Sequence, residues 1–274
     1  MTIGIIGLGL IGGSLAKAFK EHSDFDILGM DIDESVMKSA LEQGAIDGAL
    51  DLEKCDMVLI ALNPHDVINY ARENLNSFKK NSIVIDCSGV KRSICKAISK
   101  SLFDVGVHFI GGHPMAGKAK VGFAHSSENL FKGASMILCQ DALTNEEALK
   151  KAQEVLNLLG FKNMVVTNAE VHDKTIAFTS QLAHVVSNAY IRSDTARNQL
   201  GFSAGSYKDL TRVAWLNEEM WAELFLENKD NLIYEIDGLI QRLSEYSDAL
   251  KNNDEKGLKE ILIEGKKMKE AIID

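Results

Sequence analysis

One imidazole stands among glycines in Gly111-Gly112-His113-Pro114-Met115-Ala116-Gly117, near the middle of a 274-residue chain. Histidine is the side chain whose ordinary pKa lies nearest neutrality, so a neutral ring there is suited to taking a proton. The glycines let backbone approach a ligand closely, and the proline stiffens the segment after the ring. His113 is expected to sit where two halves of the chain meet. Of the seven histidines, His22, His65, His108, His125 and His172 read as surface or loop residues. That leaves His184, which lies beside a helical apolar stripe and reads either as a core or interface residue or as a ligand.

A second set of residues is suited to a phosphate. Gly7-Leu8-Gly9-Leu10-Ile11-Gly12 follows a short β-branched run, Thr2 to Ile6, and leads into a helical pattern. In such a motif the first glycine makes the tight turn, the second lets a pyrophosphate reach the backbone, and the third lets helix and strand pack closely. The helix N-terminus adds free N–H groups and the positive end of its dipole. Asp31 ends the next strand, 19 residues after Gly12. A carboxylate there accepts hydrogen bonds from ribose hydroxyls and repels a 2′-phosphate, so the expected cofactor is NAD rather than NADP. Ser88 ends another apolar strand. It reads either as a residue facing the ligand crevice or as the cap of the following helix. Lys208 and Arg212, spaced i, i+4, either clamp a carboxylate or flank a solvated surface.

The elements that must position these residues alternate strand and helix through residue 167. Strands are expected at Asp26–Met30, Met57–Ala61 (buried), Ile83–Asp86 and Val107–Ile110, Gly133–Gln140 is strand-like, and Lys162–Val166 closes the unit. Thr144-Asn145-Glu146-Glu147 and Thr167-Asn168-Ala169-Glu170 read as capping boxes. From the second box onward the period is helical. Val171, Phe178, Leu182, Val185 and Ala189 form the apolar stripe of one long helix. Leu232, Ile236, Leu239, Leu243, Tyr246 and Leu250 form a packing seam, within the chain or between two chains. The expected fold is α/β: a Rossmann-type doubly wound sheet over 1–167, then an all-α domain over 168–274 that binds substrate and dimerises.

Composition narrows the partners. A net charge of −9 argues against nucleic acid or an acidic membrane surface. An anionic substrate would then need local cations, which gives weight to Arg212. The four cysteines form no metal-like or redox spacing and read as reduced. No metal site, secretory signal or membrane span is evident, so the chain is expected to be cytoplasmic.

Four motifs occur in order: the glycine loop, Gly112-His113-Pro114-Met115-Ala116-Gly117, Ser180-Gln181-Leu182-Ala183-His184 and Asp209-Leu210-Thr211-Arg212-Val213-Ala214. Together they resemble the prephenate and arogenate dehydrogenases of tyrosine biosynthesis, over essentially the whole chain. The resemblance implies NAD-dependent oxidative decarboxylation of prephenate, or of arogenate, with loss of a hydroxyl proton and a hydride from one ring carbon. It implies that His113 is the base, that Ser88 bonds near the hydroxyl and nicotinamide, and that Arg212 holds a carboxylate. His184 lies on the substrate side, and Lys208 is a weaker counterpart. Ala183 and Lys118 depart from the residues common in relatives, and no length is left for a regulatory domain. Two rivals are another NAD dehydrogenase with a helical second domain and a non-catalytic NAD-binding regulator. The β-hydroxyacid type needs lysine with asparagine one turn on, but Lys174 is followed by Phe178.

Overall fold

The apolar β-branched runs form strands β1 (Thr2–Ile6), β2 (Asp26–Met30), β3 (Gly48–Ala49), β4 (Met57–Ile60), β5 (Ile83–Asp86), β6 (His108–Pro114), β7 (Ser135–Cys139) and β8 (Asn163–Thr167). The structure, a computed structural model, describes residues 1–118 and 120–272. The two terminal residues of the expected helical domain, 273 and 274, lie outside the described residues. The strands make one sheet in the order β3-β2-β1-β4-β5-β6-β7-β8. All neighbours are parallel except β6 and β7. This is the doubly wound arrangement expected, with the order reversing between β1 and β4, where such sheets open a crevice at their carboxyl ends.

Helices α1 (Leu10–His22), α2 (Glu34–Glu42), α3 (Pro64–Glu73), α4 (Arg92–Asp104) and α5 (Glu146–Asn157) cover the sheet. Every residue of β4 and β5 is buried, because helices shield both faces of a parallel sheet. One core cluster gathers Ile3, Ile5, Phe19, Leu59 and Phe131. The other gathers Ile6, Val58, Ile60, Val84 and Ile98. Residues adjacent in a strand thus feed opposite layers, as the two-residue period requires.

The second half is helical: α6 (Ala169–Ile176), α7 (Ala183–Ile191), α8 (Gly205–Thr211), α9 (Glu218–Glu227), α10 (Lys229–Lys251) and α11 (Glu255–Ala271). Between α6 and α7 the chain makes a π-helical segment, Ala177–Leu182. The stripe expected on one long helix therefore does not hold. Val171 and Phe178 are exposed while Leu182 is buried. Each residue inserted by a π-bulge rotates the remainder of the helix by about 100°. The buried residues of α6 are instead Ile176 and two polar ones, His172 and Asp173, at 2% and 0% exposure. His172 is thus no surface residue.

Both capping boxes shift by one residue. Asn145 and Asn168 cap α5 and α6, accepting from the N–H groups of Ala148 and Val171. Asparagine is at least as good a cap as the threonine before it.

Candidate active site

The glycine loop has the geometry that a pyrophosphate needs. Gly7 adopts φ +81°, and a Cβ there would lie 2.6 Å from the Ala61 carbonyl oxygen. A Cβ on Gly12 would lie 1.8 Å from the Gly7 carbonyl oxygen, so α1 packs against the turn only with glycine. Gly9 has nothing within 4 Å of its would-be Cβ, which leaves its backbone open to a ligand. Leu10 and Ile11 begin α1 beside it. Asp31 follows β2, and its carboxylate accepts from Leu8 N at 2.7 Å and Asp33 N at 3.0 Å. These bonds hold the carboxylate against the loop that a dinucleotide would cross. An anionic acceptor suits a ribose diol and opposes an added phosphate.

His113 lies within β6, not in a loop after it, and pairs with Ile137 of β7. Gly112 makes this possible: a Cβ there would meet the Asp86 carbonyl oxygen at 2.4 Å. The Asp86 carboxylate sits at the carboxyl end of β5, accepting from Gly112 N at 3.2 Å and Ser88 N at 3.1 Å. One carboxylate therefore ties the Ser88 turn to the strand carrying His113. Its counter-ion is Lys91, whose ammonium bonds Asp86 with both side chains wholly buried. Ser88 is buried too, and it does not cap α4. The N-terminal N–H groups of α4, on Lys91 and Arg92, are bonded at 2.8 and 2.9 Å by Asp173 of α6.

His113 Nδ1 lies 2.9 Å from His172 Nε2, and His172 Nδ1 lies 2.7 Å from Asp173 Oδ1. Burial, then the neighbouring His172 and Lys91, pushes the His113 pKa well below its ordinary 6.5. The ring is neutral at physiological pH. Burial opposes charge on Asp173 as well, but the bond from His172 and the backbone N–H groups of Arg92 and Lys91 prevail and lower its pKa.

The helical half supplies a second group of residues. His184 Nδ1 donates to the Ser180 carbonyl at 2.8 Å, and its ring stacks on Trp221 with centroids 3.9 Å apart. Burial first, with the Arg212 cation also opposing, lowers the His184 pKa. Arg212 caps the C-terminus of α8 and is exposed, near enough to His184 for its charge to act on that ring. Neither Arg212 nor Lys208 has an ion-pair partner among the described residues. Gln181, next to Ser180, accepts from Asn228 at 2.8 Å, and Asn228 also donates to the Asp173 carbonyl at 2.8 Å. This chain of bonds joins the His184 group to the His113 floor. Lys118, just after the His113 segment, donates to the His125 carbonyl at 3.0 Å.

Sequence reasoning missed Asp86, Lys91, His172, Asp173 and Asn228. A signal existed in the adjacent His172-Asp173 pair one turn into a capped helix, yet nothing local says that it faces inward. Among the described residues no group of three or more His, Cys, Asp or Glu is arranged to hold a metal ion. Among the same residues no helix is long and apolar enough to cross a membrane.

The chain is similar to known proteins over both halves. Residues 15–165 match the family model for the prephenate dehydrogenase nucleotide-binding domain, and residues 168–264 match that for the prephenate dehydrogenase dimerization domain. Prephenate dehydrogenase of Lactococcus lactis is 29% identical over 98% of this chain and 76% of its own length. The crystal structure of prephenate dehydrogenase from A. aeolicus, in complex with hydroxyphenyl propionate and NAD+, superposes with a TM-score of 0.87. It is 28% identical, over 100% of this chain and 98% of that one. Synechocystis arogenate dehydrogenase gives a TM-score of 0.82 at 25% identity, with both chains fully covered. The chain belongs to the prephenate dehydrogenase family.

Proposed function

We propose that this chain catalyses the NAD-dependent oxidative decarboxylation of prephenate to 4-hydroxyphenylpyruvate and carbon dioxide. The observation that carries the reading is His113: a neutral, half-buried imidazole on a strand of the sheet that also carries the glycine loop, bonded toward the helical half that holds Arg212. His113 accepts a hydrogen bond from the ring 4-hydroxyl and then its proton. NAD, when bound, supplies the hydride acceptor. Loss of the ring carboxylate restores aromaticity, which drives the reaction. Gly9, Leu10, Ile11 and Gly12 hold the pyrophosphate through backbone N–H groups, Gly7 and Leu8 shape the turn with their own N–H groups bonded to Met30 and Asp31, and Asp31 takes the ribose hydroxyls. Ser88 bonds near the hydroxyl and the nicotinamide. Arg212 binds a substrate carboxylate, for which its planar fork suits better than an ammonium. His184 and Lys208 complete the substrate wall.

We place the domain division at 1–167 and 168–274, at the turn where β8 ends and Asn168 caps α6. Two copies associate through the helical half, which exposes Val171, Phe178, Ile240, Leu243 and Leu250. Such an apolar surface needs a partner. The free cysteines, three of them buried, fit a reducing compartment, the cytoplasm.

The test follows NADH formation by absorbance with prephenate or arogenate, beside a His113→Asn control. Turnover of prephenate that falls about 10²–10⁴-fold in the control is expected for loss of a general base. Preference for arogenate would keep the mechanism and change the substrate, the reading that the Synechocystis neighbour favours. No turnover of either would remove the activity.

A further inference from the structure

The bonds behind His113 leave only one arrangement of protons. Asp173 is surrounded by donors: Lys91 N and His172 Nδ1 on one oxygen, Arg92 N and Arg92 Nε on the other. It has no proton of its own to offer, because every one of these groups needs it as an acceptor. His172 Nδ1 must therefore carry a hydrogen. His172 is buried at 2% exposure, and burial lowers its pKa, so the ring is neutral and its Nε2 holds a lone pair. That nitrogen lies 2.9 Å from His113 Nδ1. Two lone pairs cannot make this contact, so the hydrogen between them sits on His113 Nδ1. The remaining nitrogen of His113, Nε2, is then bare, and among the described residues nothing bonds it.

We propose that His172 and Asp173 are positioning residues that fix the tautomer of His113, holding its proton on Nδ1 and presenting a bare Nε2 to the substrate hydroxyl. The inference rests on the reading of His113 as the base. A histidine free to choose its tautomer would spend part of its time with Nε2 already protonated and useless as an acceptor. When Nε2 takes the hydroxyl proton, the O–H bond breaks, a second N–H forms, and the imidazolium gains Asp173 as a negative charge one ring away. His172 keeps its own proton throughout.

The arrangement is anchored on all sides. Asp173 caps α4, and its backbone carbonyl accepts from Asn228 at 2.8 Å. Asn228 is in turn bonded by Arg92 at 3.2 Å. The charged groups facing the pair from neighbouring elements are Lys91 and Arg92 of α4 and Asp86 of β5. Lys91 and Asp86 neutralise each other, which leaves Asp173 to set the polarity of the relay.

The test combines a spectrum with kinetics. The full chain, labelled with nitrogen-15 histidine, is observed by NMR near neutral pH, and the His113 signals are identified by their loss in His113→Asn. Wild-type His113 should show a protonated Nδ1 and a bare Nε2. Asp173→Asn offers an amide hydrogen to His172 Nδ1, reverses each bond in the relay and should move the His113 proton to Nε2. Its kcat should fall about 100-fold or more, with KM for prephenate within about threefold. His172→Leu should lose kcat likewise, and His172→Gln, which restores a carbonyl acceptor, should recover at least about tenfold of it. A wild-type His113 protonated on Nε2 would overturn the proposal, as would a slow Asp173→Asn enzyme whose His113 tautomer is unchanged. If His113→Asn itself retained turnover, the base assignment would fail, while the spectrum would still report on the relay.

Discussion

The two halves of the molecule carry two cations with opposite circumstances. Lys91, beneath His113, is wholly buried and bonded to an equally buried Asp86. Arg212, in the helical half, reaches solvent and has no ion-pair partner among the described residues. A buried ammonium is tolerated only with its counter-ion, so Lys91 has nothing left for a ligand; it holds the β5 turn in place. A solvated guanidinium costs little to keep unpaired and can meet an incoming carboxylate. On the function proposed above, positive charge in this protein is divided between architecture and recognition, and burial decides which cation does which.

Substitutions at the two cations should have effects that do not overlap. Lys91→Met strands the Asp86 carboxylate and should cost about 3–5 kcal/mol in denaturant unfolding. Adding Asp86→Asn should recover part of it, since the stranded charge is gone and the amide carbonyl keeps one of the two acceptor positions, that facing Gly112 N or that facing Ser88 N. If the single variant unfolded like wild type, the structural role given to Lys91 would be wrong. Arg212→Ala should leave the unfolding midpoint within about 0.5 kcal/mol. It should raise KM for prephenate about 10–100-fold, the loss of a charge-assisted hydrogen-bonded pair. Arg212→Lys should fall between, lacking the bidentate fork.

A smaller effect reads the floor alone. Because the folded-state pKa of His113 is depressed below 6.5, kcat/KM should stay level as pH falls through that value and decline only at lower pH. The same depression makes stability fall as pH drops below 6.5, where the unfolded chain binds a proton that the folded ring resists. An acid limb above 6.5 would show that this burial does not govern the base. The smallest effect belongs at the rim. Arg92 holds Asp230 well enough to draw its pKa down to about 2, yet Asp230 is largely exposed, so Asp230→Asn should cost below about 1 kcal/mol and leave KM unchanged.

Legibility in the sequence tracks distance along the chain. The glycine loop is read locally: Gly7 and Gly12 constrain each other across a single turn, so spacing alone carries the geometry. The strands of the sheet are short apolar runs, and the helical half announces itself by its period. The relay behind His113 is different. His113 and His172 are 59 positions apart, and Asp173 caps Lys91 across 82. No periodicity encodes such a meeting. The π-helical segment hid it further, because the apolar stripe read on α6 and α7 assumed an even 3.6-residue turn. The exposed Val171 and Phe178 then drew attention away from the polar residues that are buried.

Gly112 has a consequence for variation. Every other residue type begins with the same Cβ atom, and at this position that atom would fall 2.4 Å from the Asp86 carbonyl oxygen and 2.6 Å from Ile85 Cγ2. Neither neighbour can yield cheaply, since one is backbone in the middle of the sheet and the other belongs to a filled core. Mutational drift next to His113 is therefore closed: a lineage can re-tune the walls of the cleft residue by residue, but it inherits the approach of β6 to β5 as a fixed boundary.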